Sequence, residues 1–203
     1  MKKYFLLAVV AIAGLSFASC SKDDDTKGPG EKTERYVDAS VSGTWSYFSF
    51  ATGTVVGTGT AADDATWFAR TDWDIAITRY NIRTNSGTSA TAGGQGGVYT
   101  YDASTTFGSI ENVPSGITFA ADAVYTDAGM GGATTWSRSE AKVVTMKKNA
   151  DGSTIMPPQY EQTPVHIFRS ADGASYYKVE FTQYKRPEDD AAGHVKFDVA
   201  QIY

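Results

Sequence analysis

Apolar and polar residues alternate along several segments of this chain of 203 residues, and no sustained apolar repeat occurs at helical spacing. In residues 175–184, Val179 and Phe181 fall on one face, while charged and polar residues fall on the other. Residues 194–203 and 73–82 show the same period of two. Half-buried antiparallel strands give this pattern, so the sequence predicts an all-β fold.

Turn-forming residues separate these segments. "NADG" at 149–152 ends one strand-like run, and "SADG" at 170–173 joins two others as a hairpin. The Gly/Ser/Thr-rich residues 84–97 are typical of a mobile loop. Because a domain of about 165 residues is large enough for one core, we predict a single antiparallel β-sandwich or meander domain over residues 36–203.

The N-terminal residues 1–19 have the pattern of a secretory signal peptide. Two lysines precede an apolar stretch from Tyr4 to Leu15, and small residues follow it. This stretch is shorter than the roughly 20 apolar residues that a membrane-spanning helix needs. We therefore expect the signal to be removed from the mature protein.

Cys20, the only cysteine, follows this signal and resembles the acylated cysteine of bacterial lipoproteins. Residues 20–35 mix charges of both signs with Gly and Pro, which is typical of a lipidated, disordered tether. The run from Lys22 to Asp25 resembles the surface-export signal of Bacteroidetes lipoproteins; a solvated linker facing the periplasm is the alternative. We expect an outer-membrane lipoprotein that is exposed at the cell surface and touches the membrane only through its lipid.

The charge of the chain argues against a nucleic-acid-binding protein. The formal net charge of −5 becomes −7 once Lys2 and Lys3 leave with the signal. The remaining basic residues are scattered among acids, whereas a phosphate-binding face needs clustered Lys and Arg. No nucleic-acid partner is expected.

Catalytic and metal-binding patterns are also missing from the sequence. His166 and His194 lie in strand-like segments, without the Cys/His cluster of a metal site. No G-x-S-x-G nucleophile motif occurs. Asp72 and Asp74 flank Trp73, and a carboxylate pair beside an aromatic ring could suggest a sugar hydrolase, but nothing indicates the raised pKa that an acid catalyst needs. We do not expect an enzyme.

One methionine lies in the glycine-rich run "AGMGGA" at 128–133, which is typical of a loop. A methionine normally fills an irregular gap in a core, and an exposed thioether gains little from burial. Met130 therefore either plugs a small local hole or presents its sulfur to something outside the chain.

Five segments carry a further signal: "TWSYFSFATGTVV" (44–56), "WDIAITRYNIRTNSG" (73–87), "GGQGGVY" (93–99), "MKKNADG" (146–152) and "FRSADGASYYKVEFTQY" (168–184). In this order they resemble the HmuY family of heme-binding, hemophore-like lipoproteins from Bacteroidetes. The resemblance implies a compact all-β protein that holds one heme between two loops or hairpins and serves iron and heme acquisition. It implies as partner a TonB-dependent outer-membrane receptor, to which the heme is passed, and it leaves host heme proteins and another hemophore as alternative sources of the heme.

The resemblance also implies which residues bind the heme iron. The best-known family pattern uses two histidines, and methionine stands at both places here: Met130 after a glycine, and Met156 before two prolines. His166 and Met146 do not match the ligand places. We therefore expect Met130 and Met156 as the axial ligands. Methionine ligation favours ferrous heme and is not lost to protonation in acid.

Aromatic residues near the proposed ligands in sequence are expected to line the heme pocket. These are Tyr125, Trp136 and Tyr160, and Arg138 is expected to meet a heme propionate. Such a pocket must bury a flat apolar macrocycle and leave its propionates a polar outlet. A pocket without iron ligation would instead hold another tetrapyrrole, or no porphyrin at all.

A function of another class is also compatible with the sequence. Trp45, Trp67 and Trp73, with tyrosines, could form an exposed platform for sugar stacking, as in a surface carbohydrate-binding or adhesion module. Trp45 and Trp73 lie in alternating strands, where burial is the commoner outcome. Burial of these tryptophans would therefore remove the platform.

Overall fold

The computed structural model describes residues 30–129 and 132–203, so the predicted signal peptide, Cys20 and Met130 lie outside the described residues. Among the described residues, none belongs to a helix long and apolar enough to cross a membrane. These residues form one short α-helix, α1 (Asp64–Phe68), and thirteen strands: β1 (Thr33–Asp38), β2 (Trp45–Ser49), β3 (Thr54–Gly59), β4 (Ile75–Thr78), β5 (Asn81–Thr84), β6 (Gly97–Thr100), β7 (Ala123–Gly129), β8 (Gly132–Arg138), β9 (Val144–Met146), β10 (Tyr160–Gln162), β11 (His166–Arg169), β12 (Tyr176–Lys185) and β13 (Ala192–Ile202).

The strands form two main sheets and two smaller hairpin-like ladders. The larger sheet has the order β1-β13-β12-β11-β6, and the second has the order β3-β2-β4-β5. β7 pairs with β8, and β9 pairs with β10. The strand pairs are antiparallel in both sheets and in both ladders. The predicted all-β, antiparallel fold is confirmed. β1 begins at Thr33, so the last residues of the segment predicted as a disordered tether belong to the larger sheet.

The main core lies between the two sheets. Phe48 of β2 packs edge-on against Phe197 of β13, with ring centroids 5.3 Å apart. Ile75 of β4 joins the same cluster as Val179 and Phe181 of β12. Each such side chain contributes about 1.5–3 kcal/mol when it is removed from water. The side chains that the sequence alternation assigns to the core are therefore buried, although in β4 the residues of the other face, Ala76 and Thr78, are buried as well.

The opposite face of the larger sheet is also largely covered. Phe107 and Ile110, from the segment between β6 and β7, form a second apolar cluster with Ile167 and Ile202. Lys178 of β12 is buried there, and its Nζ donates to the carbonyl oxygens of Phe107 at 3.0 Å and Ile110 at 2.7 Å. The polar positions of β12 therefore do not all face water, because a distant segment lies over them.

The segment 73–82, predicted as one alternating strand, is a hairpin. β4 and β5 pair with each other and are joined at Arg79, which has a φ of 53°. The Arg79 N–H donates to the carbonyl of Ala39, and its guanidinium donates to the carbonyls of Ser40 and Ala192, at 2.9 Å, 3.0 Å and 3.0 Å. These tertiary bonds hold a left-handed backbone that is uncommon for a residue other than glycine.

Residues 84–97 are not uniformly loop-like, and the prediction of a mobile loop is wrong for their first part. Thr84, Asn85 and Ser89 are buried. The Asp122 carboxylate accepts hydrogen bonds from the Thr84 backbone N–H at 3.0 Å and the Ser89 hydroxyl at 2.7 Å. A buried carboxylate from a distant segment thus fixes this run.

The two predicted turns at 149–152 and 170–173 are both confirmed by hydrogen bonds across them.

Candidate functional site

Two hairpins carry the residues that the sequence predicts as ligands. In the first, β7 and β8 pair over their full length, and Gly129 is the partner of Gly132. Met130 falls between these two glycines in the sequence and lies outside the described residues. Gly132 has a φ of 110°, a conformation that residues with a Cβ rarely adopt.

In the second hairpin, the segment between β9 and β10 carries Met156. The Lys147 N–H donates to the Gln159 carbonyl at 2.9 Å, and the Ile155 N–H donates to the Lys147 carbonyl at 3.4 Å. The Met156 side chain is 67% exposed. A thioether in solvent lacks the packing partners that methionine usually finds, so its sulfur is accessible to a ligand.

Three tyrosines, called here the tyrosine cluster, lie beside these hairpins: Tyr80 in the β4–β5 turn, Tyr160 in β10 and Tyr184 in β12. The Tyr184 ring centroid lies 4.8 Å from that of Tyr160 and 6.3 Å from that of Tyr80. Burial raises the pKa of Tyr80, and the charge of Asp127 on β7 and the Tyr160 phenol raise it further. Tyr80 therefore lies within electrostatic reach of both hairpins.

One face of β7–β8 forms a hydrogen-bonded group around Asp127. Arg138 donates to the two Asp127 carboxylate oxygens at 2.7 Å and 2.6 Å, and the Trp136 indole N–H donates to one of them at 2.6 Å. The Arg138 hydrogen bonds lower the pKa of Asp127 to about 2. The Arg138 guanidinium carbon lies 4.0 Å from the Tyr125 ring centroid, and Trp136 packs edge-on against Trp45 at 5.4 Å. Arg138, expected to meet a propionate, is thus buried and bound to a carboxylate of the chain.

The predicted lining residues are therefore divided between the two hairpins. Tyr125 and Trp136 are paired neighbours on β7–β8, and both are partly buried. Tyr160 lies on β10, opposite Met146 of β9, and packs against the main core. All three aromatic residues predicted to line the pocket lie on these hairpins, whereas Tyr80 and Tyr184, which the sequence did not single out, come from other elements.

Lys142 is a functional candidate that no sequence pattern singles out. Its side chain is partly buried, its Nζ hydrogen-bonds to the Asn81 side-chain oxygen, and this Nζ lies 5.6 Å from the Tyr80 ring centroid. Burial, and after it the nearby Arg138 charge, lower the pKa of Lys142 to about 8, while the charge of Asp127 opposes the shift. A lysine between two strands gives no sequence signal, because only the fold brings it to the tyrosine cluster.

Neither histidine is placed to bind a metal. His166 is buried beside a cavity of about 320 Å³. Its Nδ1 lies 2.9 Å from the Thr100 hydroxyl, its Nε2 lies 3.3 Å from the Thr163 hydroxyl, and burial lowers its pKa to about 4. His194 Nδ1 bonds to the Tyr36 hydroxyl at 2.7 Å. Within the described ranges, no group of three or more His, Cys, Asp and Glu could hold a metal ion.

The tryptophans proposed as a sugar-stacking platform are buried. Trp45 is 1% exposed, Trp67 6% and Trp73 0%. Trp67 stacks on Tyr47 with ring centroids 3.9 Å apart, and the Trp73 indole N–H donates to the Trp67 carbonyl at 2.9 Å. A platform made of these residues is therefore excluded, and with it the observation that favoured the carbohydrate-binding alternative.

The two aspartates beside Trp73 have structural partners. Asp74 is buried and accepts hydrogen bonds from the backbone N–H groups of Phe50 at 2.7 Å and Ala171 at 2.8 Å. Asp72 pairs with Arg70 at the surface. Asp74 thus joins loops from both main sheets, and the two carboxylates do not share one site.

The fold is similar to solved structures from several bacteria. A structure described as a HmuY-like heme-binding protein from Bacteroides vulgatus has a TM-score of 0.61 and 22% sequence identity, and the match covers 83% of this chain and 91% of that one. A lipoprotein from Bacteroides fragilis has a TM-score of 0.59 and 21% identity, with coverages of 85% and 90%. The apo HmuY analog from Tannerella forsythia has a TM-score of 0.57 and 21% identity, with coverages of 89% and 100%.

No curated protein matches the chain in sequence. The sequence model of the HmuY protein family matches residues 42–199, which include the whole four-stranded sheet, both hairpins, and the larger sheet except β1 and the end of β13. The match thus covers well over half of the chain, and the solved structures share its fold over most of their length. This chain belongs to the HmuY family.

Proposed function

We propose that this protein binds heme between the β7–β8 and β9–β10 hairpins. Membership of the HmuY family supports this proposal, as does similarity to a structure described as heme-binding. The observation that carries it is the exposed thioether of Met156, on the segment between β9 and β10. Tyr160 of the same hairpin belongs to the tyrosine cluster, which also lies within reach of β7–β8.

The residues at this place are chemically suited to a porphyrin. A heme pocket must offer apolar and aromatic surface together with a few polar groups. The tyrosine cluster supplies aromatic rings, and the sulfur of Met156 is a soft ligand suited to iron in heme. Met130, on the other hairpin by sequence, would supply the second sulfur. Met130 and Met156 would hold the heme through its iron, and the bound heme would supply that iron centre.

Methionine ligation has two consequences for binding. A thioether is uncharged and is not protonated in acid, unlike histidine, so heme affinity is expected to change little between pH 7.5 and pH 5. Methionine ligands also stabilise ferrous over ferric iron, so reduced heme is expected to bind more tightly. Both expectations depend on Met130 and Met156 acting as a pair.

The cellular role follows from the sequence and from the family. We propose that Cys20 carries the lipid that anchors the protein to the outer membrane, with the heme-binding domain exposed at the cell surface. A TonB-dependent outer-membrane receptor would then receive the heme, and host heme proteins would be one source of it. On this proposal the protein is a carrier in heme acquisition and not an enzyme.

Absorbance titration of residues 21–203 with hemin, with and without dithionite, tests the proposal. Met156→Leu keeps the size of the side chain and removes the sulfur, and because Met156 is exposed, the fold should tolerate the change. We expect the affinity for ferrous heme to fall by roughly tenfold or more. Removal of a direct ligand should cost at least as much as removal of a residue that only hydrogen-bonds to a ligand. Met130→Leu should have a similar effect.

Met146→Leu is the matched control, because Met146 lies in β9 of the same hairpin and is not a proposed ligand. Its spectrum and affinity should equal those of the wild type. A Met156→Leu protein that binds ferrous heme like the wild type would contradict methionine ligation. The absence of any saturable spectral change in the wild type, in either redox state, would contradict heme binding itself.

A further inference from the structure

Three cations and one anion lie near Tyr80, so positive charge is left without a counter-ion. Arg79, Arg138 and Lys142 are the cations, and Asp127 is the anion whose charge acts on both Tyr80 and Lys142. Arg138 donates to both carboxylate oxygens of Asp127, and Trp136 donates to one of them. The single carboxylate is therefore committed to Arg138.

Lys142 has only neutral partners in the described part of the chain. Its Nζ bonds to the side-chain oxygen of Asn81 and lies 5.6 Å from the Tyr80 ring centroid. None of the ion pairs formed by the described residues includes Lys142. A partly buried ammonium without a carboxylate is costly, and its lowered pKa reflects this cost. An anionic ligand group would relieve it.

The surroundings of Lys142 indicate the kind of anion. The ammonium lies beside an aromatic ring of the tyrosine cluster, so an anion bound to it would also meet apolar surface. Free phosphate or chloride would gain nothing from the rings, whereas a carboxylate on a flat aromatic body would gain from both. A porphyrin propionate has this combination of a charged group and a planar ring system.

We propose that Lys142 binds a propionate carboxylate of the tetrapyrrole and so makes the site selective for porphyrins with ionised propionates. This inference rests on the proposed heme binding and names the anionic anchor of the same site. Lys142 takes the role that the sequence assigned to Arg138. The guanidinium of Arg138 is bound to the Asp127 carboxylate, whereas the ammonium of Lys142 has no carboxylate bound to it.

The test compares hemin with hemin dimethyl ester, in which both propionates are uncharged, on residues 21–203. Lys142→Met removes the charge and keeps much of the side-chain volume. We expect Lys142→Met to weaken hemin binding about tenfold, as loss of a charge-assisted hydrogen bond does. The ester should bind the wild type and Lys142→Met with equal affinity, because it has no carboxylate for Lys142 to bind.

Two further variants make the result specific. Lys148→Met removes an exposed lysine from the segment between β9 and β10, and it should leave hemin affinity unchanged. Lys142→Arg keeps the positive charge and should retain most of the affinity, which also answers any concern that Lys142→Met alters the fold. Unfolding curves of each variant provide the folded fraction.

The outcomes separate this inference from the proposed function. If the wild type binds neither hemin nor its ester, the proposed function fails. If hemin binds equally to the wild type and Lys142→Met, or if the ester binds the wild type as tightly as hemin does, the role of Lys142 is overturned while heme binding stands.

Discussion

Arg83 shows how one charged residue can join several elements of a β fold. Its side chain is 0% exposed, and its guanidinium donates to both carboxylate oxygens of Asp64 at 2.7 Å and 2.9 Å. The same group donates to the Tyr47 hydroxyl at 3.1 Å and to the Ser137 carbonyl at 2.8 Å. It also lies 4.0 Å from the Trp45 ring centroid. β5 is thereby bound to β2, to β8 of the first hairpin, and to α1.

Replacing Arg83 by methionine should destabilise the protein strongly. The change leaves the partly buried Asp64 carboxylate and the Tyr47 hydroxyl without their partner, and breaking a buried ion pair costs about 3–5 kcal/mol. Urea denaturation should show a loss of that order. Arg186→Met, which removes an exposed pair with Asp189, should cost less than about 1 kcal/mol. Equal losses in the two variants would contradict this account.

At the residue scale, the sequence identifies chemical types but not partners. Met130 and Met156 attract attention because they lie among glycines or prolines, which are typical of loops. Lys142 and Arg138 look alike in the sequence, yet Arg138 is neutralised by Asp127 and Lys142 is not. Which cation is available depends on distances across strands, which no local pattern contains.

The β7–β8 hairpin is held to the body of the protein at its base by Asp122. Its buried carboxylate accepts from the Thr84 backbone and hydroxyl, at 3.0 Å and 2.6 Å, and from the Ser89 hydroxyl at 2.7 Å. The Ser86 hydroxyl accepts from the Asp122 backbone N–H at 3.1 Å. The hairpin that carries one proposed ligand thus starts from a fixed point on β5 and the turn that follows it.

The glycine-rich run after β5 is a close-packed element. A Cβ placed on Gly94 would overlap the side-chain oxygen of Asn85 and would lie 2.5 Å from the backbone carbonyl oxygen of Asn85. The Asn85 amide nitrogen donates to the carbonyls of Arg70 and Trp73, both at 2.9 Å. Glycine is needed at this position because the backbone of the run approaches Asn85 closely.

Gly94→Ala is therefore expected to destabilise the protein by about 1–3 kcal/mol, the cost of forcing extra volume into a packed site. A Cβ on Gly108 would meet nothing within 4 Å, and its φ is not in the positive range. Gly108→Ala should be neutral or slightly stabilising, because it reduces the freedom of the unfolded chain. Thermal unfolding of the two variants measures the difference, and equal melting temperatures would contradict the packing argument.

At the scale of the whole molecule, two buried groups oppose each other in their response to acid. Burial lowers the pKa of His166 from 6.5 to about 4, so the unfolded chain takes up a proton first as the pH falls. This costs stability between pH 6.5 and pH 4. Burial raises the pKa of Asp122 from 3.8 to about 6, so the folded chain is protonated first, which adds stability as the pH falls from 6 to 3.8.

Variants that remove one group should separate the two effects. When the pH is lowered from 7 to 4, the free energy of unfolding of His166→Gln should fall by about 3 kcal/mol less than that of the wild type. The free energy of unfolding of Asp122→Asn should fall by a similar amount more than that of the wild type. Urea denaturation at both pH values gives the differences for each variant, whatever its stability at pH 7. If neither variant changes the pH dependence, these groups do not set the acid stability of the fold.

The sequence by itself determined the strand class of the fold, because alternation with a period of two and turn residues act locally. Val179 and Phe181 are buried as that pattern predicts, and the turns at 149–152 and 170–173 form where it places them. Trp45, the first residue of β2, is buried as its strand position predicts, whereas Trp73 is buried although it lies two residues before β4.

Tertiary structure alone decided what these local rules do not contain. Arg79 turns the chain between β4 and β5 because carbonyls of distant segments accept its hydrogen bonds. Lys178 is buried because the segment between β6 and β7 covers the second face of the larger sheet. The tyrosine cluster and the ammonium of Lys142 meet for the same reason: long-range strand pairing brings together residues whose separation in sequence carries no signal.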